Sequence, residues 1–199
     1  MVWGAYFLTI QGAITALWLA AEWFDADGII RLLYWPAVVS SILATCYTGF
    51  LFAQGLARDL WQGPHATVDL LAQAIVEGAA VLLLVSLVPG VTADPGFVRA
   101  LAGTVVGAMA AHLALIVVEN LLTPSPTRHH ELATSAIVRG RLAPLFWGGA
   151  VAAAVLSAIV ALFGVHVSPA LGVAAVLALA GTFAWEYVWV EAGQSVPLS

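Results

Sequence analysis

The sequence predicts an all-α integral membrane protein, a bundle of six transmembrane helices in a single domain spanning 1–199. Three observations carry this. The chain is 62% hydrophobic and only 9% charged, where a soluble domain carries about a quarter charged residues. Its mean hydropathy is +1.01. Its apolar residues fall in six continuous runs, at about 3–22, 32–54, 68–89, 98–122, 143–164 and 168–190. Each can cross a hydrocarbon core of roughly 30 Å as a helix. The strands of a membrane barrel would alternate in polarity and run about ten residues.

Turn chemistry bounds each run. Asp25-Ala26-Asp27-Gly28 closes the first, and Gly63-Pro64 precedes the third. Pro89-Gly90 and Asp94-Pro95-Gly96 bracket the third hairpin, Thr123-Pro124-Ser125-Pro126 ends the fourth span, and Ser168-Pro169 opens the sixth. The Met1 end has no basic stretch or small-residue cleavage site, so the first run is expected to be a retained span. The long connection at 124–142 holds Thr127-Arg128-His129-His130-Glu131 and then Leu132 to Val138, whose latter part fits a short amphipathic helix. It is the natural docking place for a soluble partner, with a plain linker as the alternative.

Charge sets an expected orientation. Arg58, Arg128, Arg139 and Arg141 share the side of the N-terminus, while Arg31 and Arg99 lie opposite. The positive-inside rule then puts both termini in the cytoplasm. The absence of lysine excludes a retinal Schiff base. The lone Cys46 excludes disulfides and cysteine-held clusters within the chain. Small residues at Gly103 and Gly107, and at Gly148, Ala152 and Ser157, are expected at helix–helix contacts.

The polar residues inside the spans are the functional signal. Glu77 lies mid-run, and a charge at that depth costs roughly 3 kcal/mol on insertion scales. About twelve Leu, Val and Ile neighbours offset it, but the carboxyl needs a partner, a proton or water. Asp69, Gln73 and Glu77 recur at i, i+4 and i+8 in the third span; His112 and Glu119 share a face of the fourth. These five are candidates for a proton relay, since burial moves carboxyl and imidazole groups toward neutral titration. Two other readings stand beside it: a structural pair, with Glu77 bonded to a hydroxyl of the second span or to His112, and a ligand contact. The other histidines lie in loops or at span ends, so no haem or metal is expected on this chain alone. Glu186, within Trp185-Glu186-Tyr187-Val188-Trp189, reads as a headgroup-level carboxyl in an aromatic belt, with a contact to a cofactor-bearing partner as the alternative.

Several strings then become recognisable. Tyr47-Thr48-Gly49-Phe50-Leu51, with Ala57-Arg58-Asp59-Leu60-Trp61-Gln62-Gly63-Pro64, resembles the NrfD/polysulfide-reductase membrane-subunit family. So do Leu71-Ala72-Gln73-Ala74 and Gly78-Ala79-Ala80. Glu119-Asn120-Leu121-Leu122, Pro126-Thr127, Arg139-Gly140 and Leu145-Phe146-Trp147-Gly148-Gly149 follow in the family's order, as does the tail from Trp185 to Ser199. The resemblance covers roughly 30–199. It implies a bacterial inner-membrane subunit that docks an iron–sulfur protein and exchanges electrons with a quinone, as in polysulfide, tetrathionate or nitrite reductases and alternative complex III.

Family members usually carry eight or more spans in two four-helix bundles. The six spans here depart from that. Spans two to five resemble the second bundle, and the first span, with Tyr6, Gln11 and Thr15, resembles the last helix of the first. Tyr6 and Gln11 are therefore the candidate quinone contacts, and the rest of a quinone site would come from a partner subunit. Arg128, Arg139 and Arg141 are the candidate docking residues. The leading expectation is a non-catalytic membrane subunit of an electron-transfer complex that binds quinone or conducts protons. A structural scaffold without a redox role is the alternative. A small transporter is disfavoured because no inverted repeat or pair of broken helices is present.

Overall fold

The computed structural model describes residues 2–55, 58–63 and 65–195, and every regular element in them is helical. Ala57, Pro64 and the tail from Val196 to Ser199, which entered the family resemblance, lie outside the described residues. The helices are α1 (Val2–Trp23), α2 (Asp27–Ala53), α3 (Ala66–Ser86), α4 (Pro95–Leu122), α5 (Arg128–Val138), α6 (Leu145–Phe163) and α7 (Ser168–Ser195). All but α5 are long and apolar enough to cross a membrane.

Local chemistry starts and stops these helices. The Asp94 side chain accepts from Phe97 N at 2.9 Å with Pro95 in the first turn, which caps α4. Thr127 accepts from His130 N at 3.1 Å and caps α5. Gly90, at φ +93°, makes the turn after α3 that a residue with a Cβ rarely adopts. Helix α5 begins at Arg128, four residues before the stretch the sequence marks as amphipathic, because its cap lies at Thr127.

Helices α3, α4, α6 and α7 form a closed ring, each packed on two neighbours: α3 on α4, α4 on α6, α6 on α7 and α7 back on α3. Helices α1 and α2 form a hairpin that joins the ring through α2 and α3. This corrects the expected bundle of spans two to five. Helix α7 is inside the ring and α2 is outside it. The reason is visible along α7, where Leu171, Ala174, Ala175, Ala178, Gly181, Trp185, Val188 and Ala192 are all buried. Helix α2 buries only Ser40 and Gly49, and most of its large apolar side chains face outward.

Small residues set the spacing within the ring, and of the expected ones Ser157 alone is buried at a contact. Gly103, Gly107, Gly148 and Ala152 are exposed, and a Cβ on any of the three glycines would meet nothing within 4 Å. The close approach is between α6 and α7. A Cβ on Gly181 would lie 3.2 Å from the Ala154 backbone nitrogen, and Ser157 donates to the Ala174 carbonyl at 2.7 Å. The face that packs is Ala150, Ala154, Ser157 and Ala161, a helical repeat two residues out of phase with Gly148 and Ala152.

Two apolar clusters fill the ring. One joins Val76, Leu83, Val105 and Met109 with the alanines of α6 and α7. The other lies at the α5 end, around Leu60, Ile116, Ile137, Phe146, Trp185 and Trp189. Helix α5 straps this end by burying Ala133 and Ile137. Between the clusters sit Asp69, Gln73 and His112, each under 5% exposed.

Candidate functional site: a buried carboxylate–imidazole pair beside a cavity

Helix α3 buries Ala66, Asp69, Ala72, Gln73, Val76, Ala79, Ala80 and Leu83, a 3.6-residue repeat, so Asp69 and Gln73 face the ring interior. Helix α4 buries Val105, Met109, His112 and Ile116 on its inner face. The two faces meet with Asp69 Oδ1 2.6 Å from His112 Nδ1. Asp69 Oδ2 accepts from Gln73 Nε2 and from Trp185 Nε1, each at 2.9 Å. Two N–H donors on one oxygen, with the imidazole on the other, are the environment of an ionised carboxylate whose charge is compensated on all sides. Charge-assisted bonds of this kind offset the desolvation that burial imposes.

This arrangement moves the centre of the site from Glu77 to Asp69. Glu77 is half-buried and has no hydrogen bond or ion pair among the described residues. At 100° per residue, i+8 lies about 80° round the helix from i, so Glu77 sits at the edge of the face that buries Asp69. His112 meets Asp69 rather than Glu77, which sets it level with the first turn of α3. Among the described residues, no hydroxyl of Ser40, Ser41, Thr45 or Thr48 in α2 bonds Glu77. Thr45 and Thr48 bond the Ser41 and Ala44 carbonyls of their own helix.

A cavity of about 150 Å³ opens beside Asp69, where α2 and α7 both lean on α3. Asp69, Gln73, Glu119, Glu186, Trp185 and Trp189 are among its walls, with Phe52 and Thr48 from α2. It has room for several waters. Glu119 reaches it from the last turn of α4, where Val118–Leu122 is wound as a π-helix. That widened turn buries the consecutive residues Glu119 and Asn120 together, and such turns recur at functional sites. Glu119 Oε1 and Gln73 Oε1 are buried and have no hydrogen-bond partner among the described residues. The cavity thus presents two buried acceptor oxygens lacking a donor, beside a carboxylate that already has three.

Trp185 and Trp189 correct the reading of an interfacial belt. They are 2% and 6% exposed, and of that segment's aromatics only Tyr187, at 52%, faces outward. Helix α7 continues to Ser195, so Trp185 lies ten residues inside its end. Glu186 is half-buried and lines the cavity. The role of Trp185 was missing from the sequence reading. The signal for it was an indole N–H deep in an apolar run, which needs an acceptor.

The other candidates are placed apart. Tyr6 is 56% exposed on the outer side of α1, while Gln11 accepts a short hydrogen bond from Ser40 of α2. Neither lines the cavity. Arg128 pairs with Glu131 at 2.7 Å, and Arg141 with Glu191 at 2.5 Å. Arg139 is exposed at the end of α5. Near the same end, Arg58 donates to the Gly193 and Gln194 carbonyls at 2.8 and 2.9 Å, which ties the loop after α2 to the end of α7. Trp61 lies against Gly193, where any Cβ would collide with its indole. Outside the spans, burial pushes the His130 imidazole down from its usual range, with Asp59 pulling the other way.

The polysulphide reductase NrfD family matches residues 1–197. The chain belongs to the NrfD family. The match takes in α1 and α2 as well as the ring, so it reaches beyond the 30–199 stretch that carries the recognisable strings. A relative from Halobacterium salinarum, described as a putative membrane subunit of a dimethyl sulfoxide reductase, is 28% identical over 142 residues. That alignment covers 65% of this chain and 32% of the relative, so the chain corresponds to about a third of that protein's length. No solved structure matches the chain with significance. As an NrfD-family chain with six spanning helices, this is a multi-pass membrane protein.

Proposed function

We propose that this NrfD-family chain is a membrane subunit of a quinone-linked respiratory reductase complex in a bacterial inner membrane, and that the cavity beside Asp69 receives a quinol headgroup. The observation that carries the reading is the pair of donor-less acceptors, Gln73 Oε1 and Glu119 Oε1, in one cavity. A quinol brings two O–H donors, whereas a quinone brings only carbonyl acceptors. Leaving a buried acceptor unsatisfied costs about 1–3 kcal/mol, so the site favours the reduced form. The indoles of Trp185 and Trp189 and the Phe52 ring supply the apolar walls an aromatic headgroup needs.

Quinol oxidation releases two protons and two electrons. The electrons leave to an iron–sulfur partner, docked at the α5 end around Arg128, Arg139 and Arg141. Glu119 takes one proton, because its carboxyl has an oxygen without a donor among the described residues and sits in the last turn of α4, toward the aqueous side, and the other proton passes to water in the cavity beside Glu186. Asp69 accepts from His112, Gln73 and Trp185 at once, so it fixes the imidazole and amide rather than exchanging protons itself. Support for the reductase assignment comes from the family and from the relative's description. The arginine distribution supports cytoplasmic termini.

A photoactivatable azidoquinol applied to the membrane complex tests the location. The reading expects cross-links on peptides spanning 48–52, 66–73 or 185–190. Cross-links confined to α1 around Tyr6 and Gln11 would return the quinone site to the hairpin and overturn it.

A further inference from the structure

A second polar pocket lies outside the ring, between the end of α4 and the strap α5. Its volume is about 230 Å³, and its walls include Asn120, Leu121, Thr134, Ser135, Glu131 and Arg139. We infer that this pocket binds a phospholipid headgroup that carries a hydrogen-bond donor, with its phosphate on Arg139 and its ammonium or hydroxyl group on Asn120.

The π-helical turn at Val118–Leu122 creates the site. Glu119 lines the inner cavity, and the next residue, Asn120, lines this outer one. Asn120 is 6% exposed, and its Nδ2 donates to the Ile116 carbonyl at 3.0 Å. Its Oδ1 is buried with no partner among the described residues. That atom asks for a hydrogen-bond donor. The opposite wall supplies positive charge. Arg139 is exposed and has no ion pair among the described residues, while Arg128 and Arg141 are held by Glu131 and Glu191.

The remaining groups fit the same ligand. Ser135 is exposed on the wall, and its hydroxyl makes no hydrogen bond among the described residues. Ser125 and Thr134 are both turned to His130 Nδ1, at 3.1 and 3.4 Å. Glu131 is bound by Arg128, which lowers its repulsion of a phosphate and leaves it near the cationic part of the headgroup. Leu121 and Leu122, 43% and 69% exposed, continue from the pocket down the outside of the last turn of α4, where an acyl chain would run. A lipid at the membrane–water boundary meets both needs. A soluble anion leaves the exposed Leu121 and Leu122 uncovered.

Native mass spectrometry of the delipidated protein in detergent tests this with the unaltered chain. It would be titrated with phosphatidylethanolamine, with phosphatidylcholine, and with phosphatidylethanolamine in the presence of inorganic phosphate. The expected result is one tightly held phosphatidylethanolamine, bound about tenfold better than phosphatidylcholine, whose quaternary ammonium has no N–H for Asn120. Arg139→Gln, an exposed substitution, should weaken that binding at least tenfold. Equal binding of the two lipids would overturn the donor requirement. An unchanged affinity in Arg139→Gln would overturn the phosphate contact, and full displacement by millimolar inorganic phosphate would replace the lipid with a soluble anion.

Discussion

At the scale of single residues, the buried carboxylate of Asp69 organises the interior, and its three donors differ in what they do. Trp185→Phe keeps most of the packing and removes one charge-assisted hydrogen bond. We expect it to cost about 1.5–3 kcal/mol, seen as a lower thermal midpoint in detergent with assembly retained. Glu77→Gln should leave both the midpoint and quinol-linked turnover close to wild type, because nothing within the described residues bonds that carboxyl. Three of the sequence's five relay candidates, Asp69, Gln73 and His112, do come together, and Glu119 faces the same cavity. The sequence could show that these residues are buried in spans. It could not show which of them meet, since that depends on how far α4 slides past α3.

At the scale of elements, α5 and the α6–α7 contact carry separate predictions. His130 is buried in the strap, and burial lowers its affinity for a proton relative to the unfolded chain. The unfolded state therefore binds more protons as the pH falls through about 6.5, so docking of α5 weakens below that pH and is unaffected above it. Hydrogen-exchange protection across 128–138, corrected for the slower intrinsic exchange at low pH, should fall between pH 7.5 and pH 5.5, and His130→Gln should remove most of the difference. Within the ring, Gly181→Leu drives a side chain into the Ala154 backbone, an overpacking that costs about 1–3 kcal/mol. Gly103→Leu, with open space around its Cβ, should leave the thermal midpoint where it is. The six spans and the surface helix were legible because length, hydropathy and turn residues are local properties. The packing face of each span was not, because Gly103–Gly107 and Ala150–Ala154 have the same small-residue spacing, and only tertiary contact separates them.

At the scale of the whole molecule, a four-helix ring with a peripheral hairpin explains why α1 and α2 are apolar on nearly every side. They bury little within this chain and present Trp3, Leu19, Leu32 and Trp35 outward, to lipid or to neighbouring subunits. The ring holds its polar layer at the α5 end, the side with four of the six arginines. With Cys46 replaced by alanine, a single cysteine at Ser125 should react with a membrane-impermeant thiol reagent from the cytoplasmic side, and one at Thr92 from the opposite side. The central claim is that Glu119 accepts a proton from quinol in the cavity it shares with Gln73. Its most direct test is quinol-driven turnover of the purified complex carrying Glu119→Gln, with subunit composition checked on the same sample. We predict a loss of about 10²-fold or more, the usual contribution of a positioned proton acceptor, in a complex that still assembles. A fully assembled complex turning over at the wild-type rate would contradict it.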